Sequence, residues 1–226
     1  MTELFLWVIL PYVVIVIFIG GHLYRYHYDQ FGWTAKSSEI FEKKKLALGS
    51  TLFHWGILFV FGGHVMGILI PESFYTSLGI TEHVYHKVAI GFGLPAGIIT
   101  LTGVAILTLR RLTDKRIRRA SSVSDFMTLF LLLAVILSGL SATVMNIDSK
   151  GFDYRTTIAP WFRGLFLLQP DPSLMSDVPL WFKLHIVMGY VIFIAWPFTR
   201  LVHVFSIPLK YLTRSYVVYR KRKKAA

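Results

Sequence analysis

Residues 50–67 read STLFHWGILFVFGGHVMG, and this stretch decides the class of fold. It lies inside a run, 46–71, that contains no acid and no base. About 20 residues at a rise of roughly 1.5 Å cross a hydrocarbon core about 30 Å thick. The run therefore predicts a membrane-spanning helix. Three more uncharged runs, 4–24, 88–109 and 126–147, are long enough to do the same. A fifth, 184–199, is shorter, but it extends to about residue 205 through Arg200 and back to about residue 180 through Lys183. Long cationic side chains near helix ends reach the interface, so neither charge breaks the span. The reading is a single all-α membrane domain with five transmembrane helices, at about 4–24, 46–71, 84–109, 125–147 and 180–205. A basic tail, 206–226, follows, and no length of chain is left over for a globular catalytic domain.

Composition agrees. Hydrophobic residues make up 54% of the chain and charged residues 16%, against about 25% charged in soluble domains. In a soluble protein a net charge of +12 would point to nucleic acid. Here the cations sit in clusters between apolar runs, which excludes that partner. The first run carries Glu3 where a signal peptide would carry a basic region, and it has no small-residue cleavage pattern. It is expected to stay as a helix. The absence of cysteine excludes disulfides, iron–sulfur clusters, c-type haem attachment and thiolate zinc within this chain. Any ligation falls to His, Met or carboxylates.

The loops predict the orientation. Eighteen of the 24 basic residues lie between the first and second runs, between the third and fourth, and in the tail. The opposite side carries Glu3, Glu72, Glu82, Asp148, Asp153, Asp171 and Asp177, with few cations. By the positive-inside rule the N-terminus is outside and the C-terminus cytoplasmic, as an odd number of helices requires. The long outer connection includes IAPWFRGLFLL, 158–168, too short to span. It is expected to lie in the interface with Trp161 and Phe162 at headgroup level. The tail is expected to meet anionic lipid or a cytoplasmic partner.

Histidine inside a membrane helix suggests function. His22, His27 and His83 fall near helix ends, where a wet interface explains them, and that reading also serves for His86. His54 and His64 lie within the second helix, and His185 and His203 within the fifth, KLHIVMGYVIFIAWPFTRLVH (183–203). The helices run in opposite directions, so levels match as His54 with His203 on the inner side and His64 with His185 on the outer side. Two facing neutral imidazoles are the axial ligands of a six-coordinate b-type haem, a cofactor that needs no cysteine. The competing reading is a set of hydrogen-bonded histidines bracing two helices. On straight helices His185 and His203 are about 27 Å apart on one face, whereas His54 and His64 are about 15 Å apart and roughly 80° off a common face. Tilt or a local distortion must reconcile these spacings. Gly56, Gly62, Gly63 and Gly67 give the second helix a small-residue surface for a macrocycle or a neighbouring helix. Pro197 is expected to kink the fifth.

The strings LFHWGILFVFGGHVMG (52–67), KLHIVMGYVIFIAWPFTRLVHVFSIPLKYLTR (183–214) and RYHYDQFGW (25–33) resemble the gamma subunit of respiratory nitrate reductase, a membrane cytochrome b. The resemblance extends over essentially the whole chain. It implies two b haems held between helices two and five by His54, His64, His185 and His203. It also implies oxidation of quinol near the outer haem and passage of electrons inward to cytoplasmic partners in a prokaryotic cell membrane. Those partners are an iron–sulfur beta subunit and a molybdenum-containing alpha subunit, where nitrate becomes nitrite. Members of that family can use a lysine at the start of the third helix for the quinol site. Here the sequence is HVYHKVAIG (83–91), where Tyr85, His86 and Lys87 compete, while Gly63 beside His64 matches. The expected quinol residues are Gly63, His64, His86 and Lys87. Alternatives from the residues themselves are a b-type subunit serving another oxidoreductase, and a transporter or plain anchor with incidental histidines.

Overall fold

The computed structural model describes residues 1–33, 37–148 and 152–206. The tail from residue 207, and the lipid or partner contact expected of it, lie outside the described residues. Among those described there is no strand, and five helices are long and apolar enough to cross a membrane. They are span one (Thr2–Tyr28), span two (Lys44–Leu69), span three (Glu82–Thr113), span four (Val123–Met145) and span five (Leu180–Phe198). Large apolar side chains such as Val16, Phe59, Phe92 and Phe130 point outward from these spans, as hydrocarbon requires.

Local chemistry sets where the spans start. Ser122 and Asp125 form a reciprocal capping box ahead of span four. Span two opens with the Lys45 N–H on the Glu42 carboxylate at 2.8 Å. That bond, reinforced by Arg110, holds the Glu42 carboxyl below the usual carboxylate range. Arg110 itself is buried and also donates to Ser38 Oγ and to the carbonyls of Ser38 and Glu42, fastening the loop before span two to span three. Beside it Arg111 pairs with Asp125 at 3.2 Å, tying the ends of spans three and four.

Each of spans one, two and five contains an irregular turn where prolines and packing override the ladder. In span one a π-turn, Phe5–Ile9, precedes Pro11. Pro11 has no N–H to give to Trp7 O, and that carbonyl instead accepts the indole N–H of Trp161 at 2.8 Å. The two indoles meet edge to face at 5.8 Å. The short helix Ile158–Phe166 is therefore folded against span one with Trp161 only 2% exposed. Trp161 is thus covered by protein, with its N–H given to a backbone carbonyl rather than to a headgroup. Phe162 is partly buried, and Phe166, Leu167 and Leu168 are the exposed members.

Span two ends in a second π-turn, Val65–Leu69, directly after His64. The Tyr75 hydroxyl donates to Met66 O and Arg163 donates to Ile68 O, both at 2.7 Å. Span five is not continuous to residue 205. Its α-helix stops at Ala195, a 3-10 turn covers Trp196–Phe198, Thr199 is extended, and a second 3-10 segment runs Arg200–Ser206. Pro197 removes one ladder bond and forces the break. The 27 Å spacing of His185 and His203, which assumed a straight helix, no longer applies.

Close neighbours run two to three, three to four, four to five, and five to one. Spans two and three approach most intimately. A Cβ on Gly103 would sit 2.3 Å from Phe53 N, and one on Gly56 would sit 2.8 Å from Thr100 N, so backbone touches backbone at both. Spans two and five end up facing each other across the bundle rather than packed as neighbours.

Candidate functional site

Span two offers two imidazoles to the space before span five, answered by His185 of span five and His203 of the 3-10 segment that follows it. The rings of His54 and His203 have centroids 6.2 Å apart, and those of His64 and His185 are 6.0 Å apart. The antiparallel course of the two spans sets this matching. The helix from His54 to His64 is regular, and the break before His203 supplies the local distortion that straight-helix spacing lacked.

The second nitrogen of each ring is already engaged. His54 Nδ1 lies 2.7 Å from Ser50 O, His64 Nδ1 2.8 Å from Val60 O, and His203 Nδ1 2.6 Å from Arg200 O. A carbonyl only accepts, so each of these Nδ1 atoms carries the proton. His185 Nδ1 lies 3.1 Å from Ser138 Oγ, whose own proton goes to Val135 O at 2.9 Å. That hydroxyl accepts in turn. All four rings are thus fixed as the tautomer whose Nε2 holds a free lone pair, the arrangement a metal-ligating histidine adopts. Gly139 lets His185 sit flush on span four, since a Cβ there would meet the ring at 2.8 Å. Gly62 and Gly63 of span two and Gly189 of span five face open space.

The end of span three nearest His64 is built around aromatic hydroxyls. Tyr85 and Tyr154 share a hydrogen bond at 3.3 Å, and the Arg155 guanidinium lies 4.2 Å over the Tyr85 ring while pairing with Asp153 at 2.7 Å. Burial, aided by the bond to Tyr85, raises the Tyr154 phenol, so Tyr154 stays a neutral phenol. A Cβ at Gly67, one turn past His64, would lie 3.0 Å from the Tyr154 hydroxyl and 3.1 Å from that of Tyr85. Of the three residues competing at the start of span three, Tyr85 is the one turned toward span two. His86 Nε2 engages Ile147 O at 2.9 Å, and Lys87 is exposed. Tyr154, Arg163 and Arg25 escaped the sequence reading. Nothing local in the sequence marks any of the three.

Among the described residues no group of three or more His, Cys, Asp or Glu converges. The site consists of paired imidazoles. An all-helical, five-span membrane protein with two histidine pairs set between its second and fifth spans is the class that fold and site define. A family model described as the nitrate reductase gamma subunit matches residues 3–222. The chain belongs to that family. It is 73% identical over 222 residues to the nitrate reductase gamma chain of Bacillus subtilis (strain 168), a match covering 98% of this chain and 100% of that one. It is 35% identical to the respiratory nitrate reductase 2 gamma chain of Escherichia coli (strain K12), covering 98% of both. The nitrate reductase-like protein NarX of Mycobacterium tuberculosis (strain ATCC 25618 / H37Rv) is 43% identical, over 98% of this chain and 34% of its own length.

Proposed function

We propose that the chain is the quinol-oxidising cytochrome b subunit of a respiratory nitrate reductase, with its N-terminus outside and its C-terminus in the cytoplasm. His64 and His185 would hold an outer b haem, and His54 and His203 an inner one. The observation that carries this reading is the pair geometry together with the four engaged Nδ1 atoms. With a metal–imidazole nitrogen bond of about 2.0 Å and a ring centre roughly 1.1 Å behind the nitrogen, two imidazoles on opposite sides of one metal have centroids about 6 Å apart. A porphyrin brings its own four equatorial nitrogens, so two histidines per metal suffice, and a larger ligand cluster is not required.

When bound, the two haems would supply a one-electron relay from quinol to the iron–sulfur and molybdenum-containing partner subunits, where nitrate is reduced to nitrite. The protein residues do the rest. Carbonyl and hydroxyl acceptors keep each imidazole neutral and oriented. Gly63, His64, His86 and Lys87 form the expected quinol site, and the Tyr85–Tyr154 pair beside Gly67 adds hydroxyls to that end of the bundle. Quinol oxidised there yields two electrons and two protons. The protons leave on the outer side while nitrate reduction consumes protons in the cytoplasm, so turnover contributes to the proton gradient without a proton path through this chain.

The test is a haem count. The purified chain in detergent should carry two non-covalent haems by pyridine haemochrome assay, both low-spin, with a sharpened α band on reduction. One haem per chain, or a high-spin native signal, would overturn the assignment. No haem at all would favour histidines that merely brace the helices.

A further inference from the structure

The break in span five leaves carbonyls without ladder partners close to the level of His203. The Arg25 guanidinium, from the far end of span one, reaches across to them. Its Nη1 donates to Pro197 O at 2.8 Å and to Thr199 O at 2.9 Å, and its Nη2 donates to Gly32 O at 2.7 Å. Its Nε faces Asp29 at 3.5 Å. Ser124 Oγ takes Phe198 O and Thr199 Oγ1 takes Trp196 O, while Arg25 takes the other two carbonyls and ties the break to span one and to the turn that follows. A guanidinium suits this task because its donors radiate in a fixed plane, whereas an ammonium offers a single point of charge.

The neighbouring residues are shaped to the same contact. A Cβ on Gly21, one turn before Arg25, would lie 2.8 Å from Pro197 Cβ and 2.9 Å from Cγ, so only glycine admits the proline ring there. The His22 ring lies 5.0 Å from that of Phe205, on the 3-10 segment that carries His203. His203 itself sits four residues beyond Thr199, and its Nδ1 lies 2.6 Å from Arg200 O, inside the segment whose start Arg25 fixes.

We propose that Arg25 is a positioning residue for the His54/His203 haem. By capping the break at Pro197–Thr199 it sets the direction in which the Arg200–Ser206 segment leaves span five, and so the distance from His203 to His54. The inference rests on the haem reading above. It assigns to span one, which contributes no ligand, control over one haem and not the other.

The experiment uses the full chain with its partner subunits, in membranes, with Arg25→Gln, Arg25→Lys and Gly21→Ala. Haem-to-chain ratio, the low-spin electron paramagnetic resonance signals and the midpoint potential of each haem are read for all three. In Arg25→Gln the affinity for the His54/His203 haem should fall about tenfold or more, as when a ligand loses its supporting partner. The His64/His185 signal should keep its shape and potential. Arg25→Lys should retain the haem with a shifted signal and potential. Gly21→Ala, which pushes Pro197 away without touching any hydrogen bond, should reproduce the selective change and decides the matter if Arg25→Gln fails to accumulate. Two unaltered haems in these variants, or equal loss of both, would overturn the inference alone. A wild-type chain lacking two haems would bring down the functional reading and this inference with it.

Discussion

Replacing His64 by alanine should eliminate quinol-driven nitrate reduction while leaving dye-driven nitrate reduction intact. The substitution breaks the pair whose rings lie 6.0 Å apart, and on the proposed reading it would leave His185 alone to hold the outer haem. The fall should exceed about 100-fold, the upper end of what losing a mere supporting partner costs. On the proposed reading small soluble dyes would reach the partner subunits without this chain, so their reaction is the internal control. His203→Ala should give the same loss by breaking the 6.2 Å pair, with one difference. Quinol should still reduce the outer haem in His203→Ala, and should reduce neither haem in His64→Ala. Rapid-mixing spectra distinguish the two. Normal reduction of the inner haem by quinol in His64→Ala would move the quinol site to the cytoplasmic side.

Gly103→Val should nearly abolish accumulation of the chain in the membrane. The added carbon would fall 2.3 Å from Phe53 N, 2.7 Å from Phe53 Cα and 2.8 Å from Gly49 O. All three are backbone atoms, which cannot rotate away as a side chain would. Overpacking commonly costs about 1–3 kcal/mol where side chains can shift. With backbone on the opposing side the cost should reach or exceed the top of that range. Phe53 adjoins His54, so any chain that does assemble should have lost the His54/His203 geometry first. Gly93→Ala is the control, since nothing lies within 4 Å of a Cβ there. Membrane levels and thermal unfolding in detergent are the measurements, and wild-type levels of Gly103→Val would refute the packing argument.

The five spans were legible because an uncharged run is a direct consequence of what hydrocarbon tolerates, and the matching of histidine levels followed from chain direction alone. Helix ends were less legible. Span three runs to Thr113, because Arg110 and Arg111 stay helical while their guanidinium groups find Glu42 and Asp125. Hydropathy counts such charges as an end, although a buried ion pair lets the helix continue past them. The π-turns were invisible for a different reason. They depend on which distant donor takes the freed carbonyl, as Trp161 takes that of Trp7 and Arg163 takes that of Ile68. No local pattern encodes a bond spanning most of the chain. The same holds for Arg25, which reads as an ordinary interfacial cation until Pro197 and Thr199 are placed beside it. Tyr85 and His86 are adjacent in sequence, and only the rotation of span three decides which faces Gly67.

The closure of span one on span five also sets a clock. Arg25 meets Pro197 across 172 residues, so a helix made early steadies one made much later. His64 likewise waits for His185, and with synthesis at about 5–20 residues per second that wait lasts roughly 6–24 s. Throughout it the imidazoles of span two lie in the membrane with no partner ring opposite. On the proposed reading, haem could not be clasped from both sides before then. Loading of both proposed sites would then wait until His203 has been made, and a nascent chain stalled before residue 180 should leave the ribosome colourless.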